Sequence, residues 1–266
     1  MTHKKINGLF WLFLASQLLI FNANADTPSD PKDDPYLLLS LIDRPNASDS
    51  AWAVPDNMMV VEAGYQFAKL LDATYLQNAP QALVRFGLPH STELVALLPN
   101  YVFPSPSGFT ASVVGLKHEF VHTKKTVISL EGLITPKSGS AEYGSAGTGG
   151  AFNGILSYDV IPEFNITTMV GVTSFTTSQN AGGDRYGSFN PDLVLTLVPR
   201  KDINIYGEVY GQTKTGPGQG SGYNTDFGII YLARRNIAFD AEVGQRLTGE
   251  LGFDKFVGGG VTFLFS

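Results

Sequence analysis

Ile203-Asn204-Ile205-Tyr206-Gly207-Glu208-Val209-Tyr210 sets its aliphatic residues on one side and its polar or aromatic residues on the other, with a period of two. Ile237-Ala238-Phe239-Asp240-Ala241-Glu242-Val243 does the same, with both carboxylates sharing one face. A period of two is the signature of a strand whose two faces meet different surroundings. Outward from these segments the pattern repeats. Between Val60 and Phe67, Glu62 and Gln66 lie opposite Val61, Ala63, Tyr65 and Phe67. Segments 83–88 and 125–134 follow suit, with Arg85 and Glu131 on the polar face.

This reading predicts twelve strands, at about 57–67, 80–88, 91–101, 109–121, 125–135, 148–160, 163–176, 188–198, 202–213, 222–233, 236–247 and 255–265. Most match the ~9–11 residues that a tilted strand needs to cross a bilayer, not the ~5–6 of soluble sheets. Short turns fall at Pro89-His90, His122-Thr123-Lys124, Ile161-Pro162, Pro199-Arg200-Lys201 and Arg234-Arg235. Longer loops rich in Gly, Ser and Asn fall at 68–79, 102–108, 136–147, 177–187, 214–221 and 248–254. Short turns at one end and long loops at the other mark an all-β, transmembrane, antiparallel up-and-down barrel. An even strand count sets both chain ends on the periplasmic side. A charge facing lipid is costly, so the polar face is expected to line the lumen. A soluble sandwich would also alternate, but with its apolar face turned into a core.

Composition agrees. Charged residues are only 16% of the 266, cysteine is absent, and the formal net charge is −6. That excludes a disordered chain and disfavours a nucleic-acid partner. Lys4, Lys5, the apolar stretch Leu9–Phe21 and Ala23-Asn24-Ala25 read as a signal peptide cleaved near Ala25, an uncleaved anchor being the alternative. Its loss takes the net charge from −6 to −8. Residues 26–56, rich in Pro with little periodicity, are expected to form an extended periplasmic lead-in, and 57–266 the barrel in the outer membrane. Tyr65, Phe67, Tyr101, Phe109, Phe120, Tyr158, Phe175, Tyr223, Tyr231 and Phe265 fall near strand ends, as aromatic girdles do.

The candidate lumen residues are Glu62, Arg85, Lys117, Glu119, Glu131, Asp159, Asp192, Glu208, Asp226, Asp240, Glu242 and Arg246. Their excess of acids suits cationic or neutral solutes, as acidic rings in pores do. The alternative is that they satisfy one another across the lumen. Twelve strands lie between the filled eight-strand and open sixteen-strand barrels, so a narrow or plugged path is expected.

His118-Glu119-Phe120-Val121-His122 matches the H-E-x-x-H zinc motif. The motif needs a helix, and here it sits in an alternating stretch. On a strand its histidines would lie about 13 Å apart, too far to share one zinc. His90-Ser91 is adjacent on a turn, and adjacent strand residues point to opposite faces. Gly147-Thr148-Gly149-Gly150 lacks the Lys of a phosphate loop. No catalytic group, metal or cofactor is expected.

Several short motifs together resemble a family of outer-membrane transporter-like β-barrel proteins, the "MetA-pathway of phenol degradation" family. They are Ile42-Asp43-Arg44-Pro45, Val61-Glu62-Ala63-Gly64-Tyr65, Leu83-Val84-Arg85-Phe86-Gly87-Leu88, Glu93-Leu94, Val114-Gly115-Leu116-Lys117, Ser157-Tyr158-Asp159, Ile205-Tyr206-Gly207-Glu208 and Phe256-Val257-Gly258-Gly259-Gly260. The resemblance implies passive passage of small, hydrophobic or aromatic solutes and no catalytic residues. Asp43, Arg44 and Pro45 are expected to pack against the periplasmic mouth or to plug the lumen. The terminal strand resembles the signal that the barrel-assembly machinery recognises, though Ser266 follows the aromatic Phe265. The expected surroundings are outer-membrane lipid and a small-molecule solute, and the expected state is a monomer. Loops 136–147 and 177–187 are expected to gate the outer mouth, with Tyr206 and Tyr210 along the path. The competing readings are an outer-membrane hydrolase acting on lipid or peptide, and a structural or surface-interaction barrel with an occluded lumen.

Overall fold

A computed structural model describes residues 34–103 and 105–266. The expected signal peptide and residues 26–33 lie outside the described residues. A short helix, α1 (Leu37–Leu41), precedes fifteen strand segments: β1 (Met59–Leu70), β2 (Tyr75–Ala79), β3 (Leu83–Leu88), β4 (Thr92–Leu97), β5 (Tyr101–Phe103), β6 (Gly108–Phe109), β7 (Val113–His122), β8 (Thr126–Thr135), β9 (Gly149–Ile161), β10 (Phe164–Thr176), β11 (Arg185–Arg200), β12 (Ile203–Gln212), β13 (Gly222–Arg234), β14 (Ile237–Thr248) and β15 (Phe253–Phe265).

Neighbours pair antiparallel in chain order, and β15 closes on β1 from Met59↔Phe265 to Leu70↔Phe253. Closure removes both sheet edges, which a bilayer requires. Three staves are split. β2 and β3 pair with the upper and lower halves of β1. β4 continues as β5, and β6 as β7. Counting each split pair as one gives a twelve-stranded barrel. The expected strands 80–88, 91–101 and 109–121 are therefore interrupted, at 80–82, 98–100 and 110–112. Pro80 and Pro99 have no N–H to give the ladder. The break at 110–112 lies beside that at 98–100, where the Asn100 N–H donates to Thr110 Oγ1 at 2.9 Å. The expected loop 68–79 is instead mostly strand, with only 71–74 as its turn, and β11 begins within the expected loop 177–187.

The register separates the two faces. Ile205 lies opposite Ile229 and Leu193 opposite Val209, and all four are exposed. One residue along, Glu208 lies opposite Asp226 and Lys117 opposite Glu131, and all four are buried. Apolar groups outside and carboxylates inside is the reverse of a soluble barrel and matches one that meets lipid. Tyr101, Phe109, Phe120, Tyr158, Tyr231 and Phe265 are exposed near strand ends, whereas Tyr65 is exposed in the middle of β1. Among the described residues no helix is long and apolar enough to cross a membrane.

Residues 34–58, which run two residues past the expected lead-in 26–56, enclose α1. Leu37, Leu38, Leu41 and Ile42 bury themselves with Val54, Met58, Val60, Ile230, Leu232, Ala238 and Leu264. The inward positions at the short-turn ends of β1, β13, β14 and β15 are apolar to receive them. The helix ends at Ile42, whose backbone is extended, and Arg44, before Pro45, is held out of the α region as well. Further on, Ala51 packs on Val127 of β8 and Ile155 of β9. The segment thus touches opposite walls at the short-turn end of the barrel.

Candidate functional site

The interior site is where segment 34–58 meets the wall. A segment of irregular backbone inside a barrel must find partners for its amides. Here the wall supplies carboxylates. Glu62 of β1 accepts from the Asp43 N–H at 3.0 Å and the Arg44 N–H at 2.8 Å. Glu208 of β12 accepts from the Ala47 N–H and the Ser48 N–H, each at 2.9 Å. Glu93 of β4 accepts from the Val54 N–H at 2.6 Å, and Glu119 of β7 from the Ala53 N–H at 3.1 Å. Charge-assisted bonds of this kind are stronger than neutral ones.

Two buried cations complete the latch. Arg85 of β3 bonds Glu93 at 2.8 Å and Asp43 at 2.9 Å, and donates to the carbonyls of Trp52, at 2.9 Å, and Leu41. Lys117 of β7 lies 3.0 Å from Glu93 and donates to the Ser50 carbonyl at 2.8 Å. Arg44 spans β1 and β15, at 2.7 Å from Gln81 beside β3 and 3.4 Å from Asp240 of β14. Its guanidinium occupies the space above Gly64 and Gly260, which lie opposite each other across β1 and β15. A Cβ at Gly64 would overlap it, and one at Gly260 would stand 2.7 Å from Arg44 Nε. Burial pushes the Asp43 carboxyl up to about 6, against the pull of Arg85 and Lys117.

The motifs that seem scattered along the chain are therefore neighbours. Asp43-Arg44-Pro45 meets Glu62 and Gly64, then Arg85 and Glu93, then Gly260. Glu131, beside Lys117, accepts from Asn153 at 2.9 Å. Asp192, Glu208 and Asp226 form a buried acidic group on β11–β13. Glu242 is buried on β14 beside Asp240. Asp159 is only half-buried and accepts from Asn165 at 2.7 Å. Arg246 lies opposite the buried Asn224 at the outer end of β14, where it is exposed and bonds Asp254 at 3.3 Å and the Gly249 carbonyl.

The H-E-x-x-H stretch lies on β7, which carries a bulge between Glu119 and Val121. A bulge inserts one residue and shifts later side chains by one position. Glu119 and His122 consequently meet at 2.7 Å, whereas His118 turns to Thr92 Oγ1 at 2.8 Å. Trp52 packs edge-on against His122, with centroids 4.5 Å apart.

Glu93 and Asp49 are the site residues that alternation passes over. In Thr92-Glu93-Leu94-Val95 the inward neighbour of Glu93 is Val95, so no polar stripe marks the strand. The hairpin turn could have found it, since Gly87↔Glu93 register sets Glu93 beside the inward Arg85. Asp49 lies on the inserted segment, where no period operates. Burial and Glu131 push its carboxyl well above its ordinary range.

The segment leaves one side of the barrel open. A cavity of about 240 Å³ separates α1 and residues 46–52 from β9–β13. A second, of about 130 Å³, lies between Trp52, His122 and the 123–125 turn. Trp52, Ser157 and Asp159 border both. At the outer end, loops 136–148 and 177–184 are tied together: the Asn180 N–H donates to the Ala141 carbonyl at 2.9 Å and the Ala146 N–H to the Thr177 carbonyl at 3.2 Å.

The fold is similar to that of solved outer-membrane proteins. A COG4313 outer membrane channel from Pseudomonas putida F1 aligns with a TM-score of 0.63 at 9% identity, over 83% of this chain and 100% of that one. The NanC porin aligns with a TM-score of 0.54 at 13% identity, over 78% and 100%. The KdgM porin, solved with disordered oligogalacturonate, aligns with a TM-score of 0.53 at 10% identity, over 78% and 99%. No curated protein matches in sequence. The model of the family described as "Putative MetA-pathway of phenol degradation" matches residues 42–265, from the latch motif to the closing strand, and the chain belongs to that family.

Proposed function

We propose that this chain is an outer-membrane channel for passive passage of small solutes, with segment 34–58 setting its width at the periplasmic end. One observation carries the reading: the inserted segment leaves a cavity of about 240 Å³ along β9–β13 instead of filling the barrel. The similarity to channels and porins supports it. The interior acids Glu62, Glu93 and Glu208 serve chiefly as acceptors for the inserted segment, while the buried Asp192, Asp226 and Glu242 give the inner wall its acidic character. Small hydrophobic or aromatic solutes fit the resemblance. The protein is read as a monomer without enzymatic activity, delivered to the outer membrane after cleavage near Ala25 and assembled through β15.

The occluded-barrel reading draws on a separate observation, the complete burial of Leu38, Leu41 and Val54. Planar-bilayer conductance of the full protein decides between them. The channel reading expects small discrete openings, together with a cation preference that Asp192→Asn with Asp226→Asn reduces. A silent intact protein that conducts only after the latch is broken would favour occlusion.

A further inference from the structure

We propose that Gln245, Lys255, Lys69 and Tyr75, at the long-loop end of the β14–β15–β1–β2 wall, form an outward-facing site for the phosphorylated sugar head group of an outer-leaflet lipid. The inference rests on the outer-membrane placement of the barrel and stands whether or not the barrel conducts.

The register sets these four residues in one row. Lys255 lies opposite Gln245 on one side and Lys69 on the other, and Lys69 lies opposite Tyr75. The row points away from the lumen. Its chain neighbours Ala68 and Phe256 are buried, and successive strand side chains point to opposite faces. Gln245, Lys255 and Tyr75 are exposed and Lys69 is half-buried. Two residues nearer the membrane centre, the same wall carries Val243, Val257 and Phe67, and beyond them Ala241, Gly259 and Tyr65. The outer surface therefore changes in one step from hydrocarbon to hydrogen-bond donors. Tyr75 stacks on Phe67 with ring centroids 5.4 Å apart, as aromatics do where acyl chains give way to head groups.

The row lacks an anion. Like charges directly opposite on paired strands repel, with Cβ atoms about 4.5–5.5 Å apart. Asp254 lies 3.8 Å from Lys69 but also bonds Arg246 at 3.3 Å. Lys255 has no ion-pair partner among the described residues. Asp72, in the β1–β2 turn, accepts from the N–H and the hydroxyl of Thr74 at 2.9 and 2.6 Å. Glu250 lies in the β14–β15 loop, beyond the row. A phosphate between the two ammonium groups turns their repulsion into charge-assisted bonds. Lysine stems lie along apolar surface while their heads stay at head-group level.

Width selects the ligand. Four strands span about 14 Å, three spacings of ~4.8 Å, which is wider than one phosphate. Gln245 and Tyr75 flank the lysines with neutral donors and acceptors, which suit sugar hydroxyl groups. A free anion would use the lysines alone, and a glycerol phospholipid would leave the flanks unfilled.

The test is native mass spectrometry of full-length mature protein, delipidated in a non-ionic detergent. The probes are bisphosphorylated lipid A, lipid A with both phosphates removed, and dioleoylphosphatidylglycerol. Bisphosphorylated lipid A should bind at least tenfold more tightly than either of the others. Lys69→Gln with Lys255→Gln should weaken it about tenfold or more, the value of one charge-assisted bond, and Lys69→Arg with Lys255→Arg should retain it. Migration of unheated samples confirms a folded barrel. Urea unfolding supplies a readout that changes sign. In phosphatidylcholine vesicles Lys255→Gln should leave the midpoint unchanged or raise it, because a repulsion is removed. With bisphosphorylated lipid A in the vesicles, the same variant should fall below the parent. Equal affinity for dephosphorylated lipid A or for phosphatidylglycerol overturns the proposal. So does lipid A affinity that stays within twofold in the double glutamine variant, or a lowered midpoint in both kinds of vesicle.

Discussion

Replacing Arg85 by Met should release the inserted segment. Arg85 is fully buried and bonds Asp43, Glu93 and two carbonyls of the segment. Met keeps most of the volume but strands two carboxylates, with only Lys117, 3.0 Å from Glu93, left to compensate. Removing one partner of a buried ion pair costs about 3–5 kcal/mol. At ~1.4 kcal/mol per decade, the undocked population rises by about two to three and a half decades. The chain has no cysteine, so Ser48→Cys adds a unique thiol at a buried position of the segment. Labelling by a water-soluble maleimide then reports undocking, and should speed up by about a hundredfold or more when Arg85→Met is added. Adding Glu93→Gln as well should recover part of the loss, because it removes one stranded charge. Labelling within twofold of the parent, in a barrel that still migrates as folded, would refute the latch.

Gly64→Leu should expel Arg44 from its seat over β1 and β15, break its contact with Asp240, and raise Ser48→Cys labelling while leaving the barrel folded. Leu38→Ala should cost about 2–5 kcal/mol of docking through the cavity it leaves, read by the same label. Ile229→Arg, on the exposed face of β13, should cost about 2–4 kcal/mol in urea unfolding from lipid vesicles if that face meets acyl chains, whereas a value near zero would contradict the membrane assignment. Asp43 sits at about 6, above its ordinary 3.8. The docked state therefore binds more protons between about pH 4 and 6, and docking should weaken as pH rises through that window. The labelling rate from pH 4 to 7, divided at each pH by that of a free thiol, should accordingly increase.

Most of the wall was legible in the residues. Alternation in 203–210 and 237–243 is a local property, since successive strand side chains must point to opposite faces, and lipid on one side forces the apolar half outward. The same logic placed Glu62, Arg85, Lys117, Glu131 and Glu208. Where prolines cut the ladder at 80 and 99, the breaks were visible as residues, but nothing local said that three neighbouring staves would be split at one height.

Alternation by itself determined a twelve-stranded barrel with acids turned inward, because period and medium act within a single strand. What those acids do was settled only by the tertiary structure. Glu62, Glu93 and Glu208 lie on strands far apart in sequence, and their shared partner is the backbone of residues 43–54. Amides carry no side-chain signature, so no pattern in the chain announces which carboxylates they will seek. Glu119 and His122 likewise depend on a bulge, a one-residue mismatch between partners that neither strand encodes alone. Closure of the barrel brings these groups to one place, and with them the Arg44 seat on Gly64 and Gly260.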